Sequence, residues 1–194
     1  IIGWSMFARS LTTSTKSLSS SINLFQFARV PKTVFATSGT LTNAVLALIS
    51  LTSLIPFYFI SDIPITANLL MVPVWLMVLS FTGWGIGLLL APIACKVPDV
   101  LNLINFLVRA GFFLSPVMWT YDMFNTRFGD GWHAVVAHMN PTVVPITGMR
   151  DAVLGESSAI PGYGYAMCFG IALLAYILGA MVFERKAHRA VVNV

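Results

Sequence analysis

Few side chains in this 194-residue chain are of a type and spacing that could do chemistry. His133 and His138 stand five apart, near Asp122 and Asp130. Two metal ligands on one helical face need a spacing of three or four, so these read as solvated polar residues at a membrane interface, and no metal site is expected. Cys95 and Cys168 lie inside apolar runs at no ligand spacing and read as small buried hydrophobes. Ser80 and Ser115 have no histidine within the apolar stretches to activate them, which argues against intramembrane proteolysis. A phosphate loop needs glycine before its Lys-Ser/Thr pair. The only such pairs, Lys16-Ser17 and Lys32-Thr33, follow Thr15 and Pro31. No catalytic residue and no cofactor of this chain's own is therefore expected. The run Gly83-Trp84-Gly85-Ile86-Gly87 sits in a charge-free apolar stretch without a strand-helix-strand context, so a dinucleotide loop is excluded. Gly83 and Gly87 make instead a small-x-x-x-small face on which a second helix can pack closely.

Arg109 is a charge inside an apolar stretch. Such a cation is costly in hydrocarbon unless it faces protein or water. Two readings stand: an arginine bonding helix to helix or snorkelling to an interface, and a pathway-lining cation that meets an anionic substrate. Phe112, Phe113, Trp119 and Tyr121 gather toward the end of the same stretch. An interfacial aromatic belt accounts for Trp119 and Tyr121; platforms for sugar rings are the alternative.

The elements that carry these residues follow from composition. Charged residues are 9% and apolar residues 57% of the chain, with a mean hydropathy of +0.84. A soluble domain of this size has about a quarter charged residues and too much surface to hide so many apolar ones. The composition points to an all-α integral membrane protein, a polytopic helical bundle forming one transmembrane domain over residues 1–194. Stretches Val34–Ile60, Ile63–Cys95, Val100–Trp119 and Gly164–Phe183 are each long enough for a span of about 20 residues. Pro64, Pro73 and Pro92 are expected to limit regular helix in the second. Ile1–Ser21 opens apolar and turns Ser/Thr-rich; it reads as a fifth span packed inside the bundle, or else as a polar linker. Between Thr120 and Gly162, Val143, Val144, Ile146, Met149, Ala152 and Val153 recur at helical spacing after Asn140-Pro141-Thr142, with Gly155 as a stop. That predicts a short amphipathic helix lying at, or dipping into, the outer interface.

The formal net charge of +4 is too scattered for a nucleic-acid surface. Its distribution orients the chain. Lys16, Arg29, Lys32, Lys96, Arg185, Lys186 and Arg189 fall on one side of the alternating spans, against Arg127 and Arg150 on the other. By the positive-inside rule the first side, with the C-terminus, is cytoplasmic.

Read in order, several segments resemble the permease subunit of type-2 ABC exporters for polysaccharide, O-antigen, teichoic acid or polyol phosphate. Gly3-Trp4-Ser5-Met6-Phe7 with Arg9-Ser10-Leu11 is similar to that family's second span. Asn23-Leu24 with Phe27-Ala28-Arg29-Val30-Pro31-Lys32 resembles its coupling region. Gly85 to Ala91, then Val97-Pro98-Asp99-Val100, resemble the end of its fourth span and the inside turn. Phe113-Leu114-Ser115-Pro116-Val117-Met118-Trp119 is close to its Leu-Ser-Pro-Val-aromatic signature, and Asn140-Pro141, Gly148-Met149-Arg150 and Leu154-Gly155 fit its outer re-entrant segment. Two departures stand out: Lys96-Val97-Pro98-Asp99 replaces a Tyr-Arg-Asp turn, and Pro31 lacks the usual preceding aromatics.

The resemblance implies a homodimer of six-span subunits in the bacterial cytoplasmic membrane, with an amphipathic helix and first span before Ile1. It implies two copies of an ATPase subunit that bind the ATP and magnesium, and a lipid-linked glycan or polyol phosphate as cargo. Leu24, Phe25, Phe27, Arg29, Val30, Pro31 and Lys32 would form the main coupling element, with Lys96 and Asp99 as a second contact. Arg109, Phe112, Phe113, Ser115, Pro116, Trp119 and Tyr121 would border the pathway. The alternatives are a permease for small drugs or lipo-oligosaccharides, a membrane transferase using Asp122, Asp130 and the histidines, and an assembly subunit without transport.

Overall fold

The computed structural model describes residues 1–20, 33–61, 66–129, 131–158 and 160–192. The expected coupling residues Leu24, Phe25, Phe27, Arg29, Val30, Pro31 and Lys32 lie outside the described residues. Everything described is helix, turn or connection, with no strand among the described residues. The helices are α1 (Ile2–Ser20), α2 (Thr33–Ser50), α3 (Leu54–Ser61), α4 (Val72–Lys96), α5 (Asp99–Leu114), α6 (Tyr121–Phe128), α7 (Trp132–His138), α8 (Val143–Leu154) and α9 (Gly162–Val192). Short 3₁₀ turns at Leu51–Ser53 and Ala67–Met71 lead into α3 and α4.

Helix α4 is the axis. Its glycines serve two opposite neighbours. A Cβ on Gly83 would come within 2.6 Å of the Phe7 carbonyl oxygen, and one on Gly87 within 2.5 Å of the Ser14 Cβ. These two form the face foreseen from their spacing, and α1 lies on it. Gly85, between them, turns the other way, where its Cβ would meet Ala175 and Tyr176 backbone at 2.5 Å; Gly179 of α9 lies against Gly85 in return. Without side chains at these positions, three helix backbones approach closely, and dispersion between them replaces the hydrophobic drive that lipid does not supply.

Hydroxyls finish the α1 interface. Ser10 and Ser80 share a hydrogen bond of 3.3 Å and Ser14 and Thr40 one of 3.2 Å, while Asn43 Nδ2 donates to Thr13 Oγ1 at 3.0 Å. Residues 2–20 are therefore a bundle helix with Ser10, Ser14, Thr15 and Ser17 buried, not a polar linker.

Contacts fix the direction of each helix. Gly3 meets Leu79, Gly83 meets Phe7, and Leu18 joins Leu88, Ala91 and Cys95, so α1 and α4 run the same way. Trp75 stacks near Tyr165 and Phe169, and Phe183 joins that same Leu18–Cys95 cluster, so α9 runs with them. Helix α2 runs opposite, pairing Thr40 with Ser14 and Ala47 with Met6. Helix α5 starts where α4 ends and brings Gly111 onto Trp4, so it too runs opposite. Five helices thus alternate in direction. One end gathers Lys16, Lys96, Arg185 and Lys186; the other gathers α6, α7 and α8.

Three helical stretches are long and apolar enough to cross a membrane: Thr37–Ile60, Ala67–Lys96 and Gly162–Lys186. Pro92 lies inside α4 without ending it, as packed membrane bundles tolerate. Val100–Trp119 differs from expectation. Helix α5 stops at Leu114 after 16 residues, about 24 Å at 1.5 Å per residue, because Pro116 pushes Ser115 into extended backbone (φ −90°, ψ 155°). In α9 the apolar run ends near Phe183 but the helix continues through Glu184-Arg185-Lys186.

Candidate functional site

Segment 120–162 holds three short helices where one was expected. Helix α8 is the expected one, and Gly155 closes it in the left-handed region (φ 70°). It does not lie on a surface. Val143, Val144, Pro145, Ile146, Thr147 and Gly148 are all buried, and the Trp75 indole packs on Gly148. The apolar positions that read as one amphipathic face are covered on more than one side, by α4 and α1.

Helix α8 also pins the end of α5. Arg150 Nη1 donates to the Trp119 carbonyl at 3.1 Å and Nη2 to the Pro116 carbonyl at 2.6 Å. Asn140 Nδ2 donates to Leu114 O at 3.4 Å, and its Oδ1 accepts from the Thr142 N–H and hydroxyl. The carbonyls freed where α5 stops are thus held by an amide and a guanidinium. Ser115 Oγ donates to Phe112 O at 2.9 Å, and Thr120 Oγ1 caps α6.

The expected pathway residues divide accordingly. Ser115 and Pro116 are buried in the pinned turn, and Trp119 is half-buried above Phe124. Tyr121 is 1% exposed, edge-on to His138. These four shape the turn. Phe112 is half-buried between Trp4 and Phe113. Arg109 and Phe113 point outward, Phe113 at 67% exposure. Lys96 and Asp99 are exposed at the basic end.

His138 corrects a second expectation. It is not a solvated interfacial residue but 1% exposed, between Tyr121 and Tyr163 and against Gly164. Its Nδ1 lies 2.6 Å from the Ala134 carbonyl, which can only accept, so Nδ1 carries the proton; Nε2 is buried without a partner. His133 is stacked on Trp132 and near Phe128. The two histidines do not converge on a common point, and Asp130 lies outside the described residues.

What the outward side of α5 carries extends beyond Arg109. Asn102, Phe106, Arg109 and Phe113 recur at spacings of four, three and four, all exposed, while Ile104 is the buried anchor. Helix α1 repeats the pattern with Ser5, Arg9, Thr12 and Lys16, where Arg9 and Lys16 are exposed and Ser5 and Thr12 half-buried. The two helices touch, and Gly111 on Trp4 sets their level. Arg9 then lies about 4.5 Å from Arg109 along the helix axes. Asn102 and Phe106 were not singled out from sequence, and Arg9 only as part of a second-span motif, although the spacing was there to find. Trp4, Phe7 and Leu11 of α1 meet Ile104, Val108 and Phe112 of α5, so Arg9 and Arg109 stand on the sides that face away from the contact between the two helices. The chain matches no known protein-family profile and no curated protein.

Proposed function

We propose that this chain is the membrane-spanning permease subunit of an ABC exporter that moves a lipid-linked polysaccharide or teichoic acid-type polymer, driven by a separate ATPase. One observation carries the reading: five helices alternate in direction with their basic ends together, while Arg9 and Lys16 of α1 and Arg109 of α5 are exposed. In this reading the basic end is cytoplasmic, the subunit has six spans and pairs with a second copy, and α6–α8 form the outer cap. The buried His138 and stacked His133 weaken the transferase alternative. A pathway bordered by Phe106, Phe113 and arginines suits a polymer better than a small apolar drug.

ATP-driven closure of the ATPase pair would push on residues 24–32 and on the Lys96–Asp99 turn, tilting α4 and α5 from their common end. Transmission requires contacts that differ between two states. Expressed with the ATPase from its own gene cluster, the full-length chain is expected to copurify with it. Reversing Arg29 and Lys32 to glutamate is expected to lower polymer export at least about tenfold at equal protein level, a loss of about 1.4 kcal/mol of coupling. Normal copurification and export in that variant would remove the coupling assignment. A cysteine at position 185 is expected to resist labelling by an impermeant thiol reagent added outside intact cells; labelling there would invert the orientation.

A further inference from the structure

We infer that α7, and not α8, is the element that lies in the membrane interface. Its uncovered apolar side seats among the headgroups and upper acyl chains of the leaflet at the end opposite the basic one. The inference needs only the membrane-crossing helices, and holds whatever the chain transports. Trp132, Val135, Val136 and Met139 are all exposed, Trp132 at 68% and Met139 at 62%. Positions i, i+3, i+4 and i+7 share one side of a helix, and helical backbone at Met139 keeps the fourth in line. No Asp, Glu, Lys or Arg stands between Trp132 and Met139 to interrupt that side. Ala134 and His138, one turn apart on the opposite side, are buried.

His138 fixes this roll. Its ring stands edge-on to Tyr121 and Tyr163, with centres 5.4 Å from each, and packs on Gly164. Turning the apolar row onto the bundle would pull the imidazole out of that seat. The same contacts set the depth. Gly164 is in the first turn of α9, where the apolar stretch Gly162–Lys186 begins. Just past α7, Asn140 bonds to Leu114, the last residue of α5, and the Pro141 carbonyl accepts from Cys168 Sγ at 3.9 Å. Helix α7 therefore stands beside the first turns of α9 and the last of α5, in the plane where hydrocarbon gives way to headgroups. Trp132 and the exposed Tyr163 are of the residue types that concentrate there.

Exposed apolar surface of this kind marks a contact with protein or lipid, and lipid fits it better than a second copy of the chain. Even at about 250 Å² for the largest side chain, four half-exposed ones offer about 500 Å² at most, short of the about 800 Å² per partner that a stable pair needs. Lipid has no fixed shape to match. An amphipathic helix sinks its apolar side about 5–10 Å into the headgroup and acyl boundary, and α7 is already tethered at that level by its neighbours.

The test uses the full-length chain in phosphatidylcholine vesicles, with Cys95 and Cys168 replaced by alanine. Single substitutions W132C, V135C, V136C and M139C carry a nitrobenzoxadiazole fluorophore. L174C, on an exposed position midway along α9, is the reference for hydrocarbon, and E156C, on an exposed acid, the reference for water. All four row positions are expected to emit to the blue of E156C. They are expected to lose more emission to a lipid spin-labelled near the glycerol end of its acyl chain than to one labelled near the chain terminus. L174C is expected to show the reverse order, and E156C to be quenched by aqueous iodide alone. Iodide quenching of the row as strong as that of E156C would place α7 in water and overturn the inference. A row shielded from iodide and from both spin-labelled lipids would be covered by protein, and would overturn it in favour of a second copy.

Discussion

Replacing Gly85 with leucine is expected to prevent the bundle from assembling, lowering the stability of the purified protein by more than about 3 kcal/mol. The first atom of any side chain there would sit 2.5 Å from the Ala175 carbonyl carbon and the Tyr176 nitrogen, and 2.7 Å from the Ala175 oxygen. All three are backbone, so no rotamer change can make room. The helices must separate, and Gly179, which lies against Gly85, loses its contact as well. Gly170 supplies the control. It lies on the same α9 with open space around its Cβ, so Gly170→Ala is expected to be neutral or to stabilise by up to about 1 kcal/mol through helix propensity. Denaturation in mixed micelles, followed by tryptophan fluorescence, checks both. A stable Gly85→Leu protein would mean that α4 and α9 do not meet as described.

Arg150→Ala is expected to cost about 3 kcal/mol, the second largest effect. A hydrogen bond from a charged donor contributes about 1.5–3 kcal/mol, and the truncation removes two while leaving the Pro116 and Trp119 carbonyls half-buried and unpaired. Arg150→Lys is expected to lose about half as much, because a single ammonium cannot span both carbonyls as the guanidinium fork does. Asn140→Ala, with its longer 3.4 Å bond to Leu114 O, is expected to lose about 1 kcal/mol. The readouts are thermal unfolding in detergent and the rate of limited proteolysis between 115 and 120. Should alanine and lysine at 150 behave alike and near wild type, the α5 turn is held by something other than this arginine.

Some of this organisation was open to a reader of the residues alone. Gly83 and Gly87, four apart in an apolar run, announced a close helix face, since both belong to one helix. Gly85 announced nothing, because its partner Gly179 lies far along the chain. The early end of α5 was legible in Ser115-Pro116, since proline excludes helical backbone before it; the apolar residues on either side concealed the break. His138 was not legible. Its neighbours Val135 and Val136 are exposed, and it is buried only because Tyr121, Tyr163 and Gly164 come together around it.

The same division holds for the candidate site. Residue types alone established a helical membrane chain with clustered basic ends, because bilayer thickness, side-chain transfer energies and the spacing of charges along a helix are local quantities. They also marked Arg109 as a charge needing a partner. Only the tertiary structure decided which side of each helix is covered. That choice placed Ser115, Pro116 and Tyr121 inside, left Arg9 and Arg109 exposed, and sank α8 among its neighbours. Burial of one face is set by atoms distant in sequence, and no local pattern carries them.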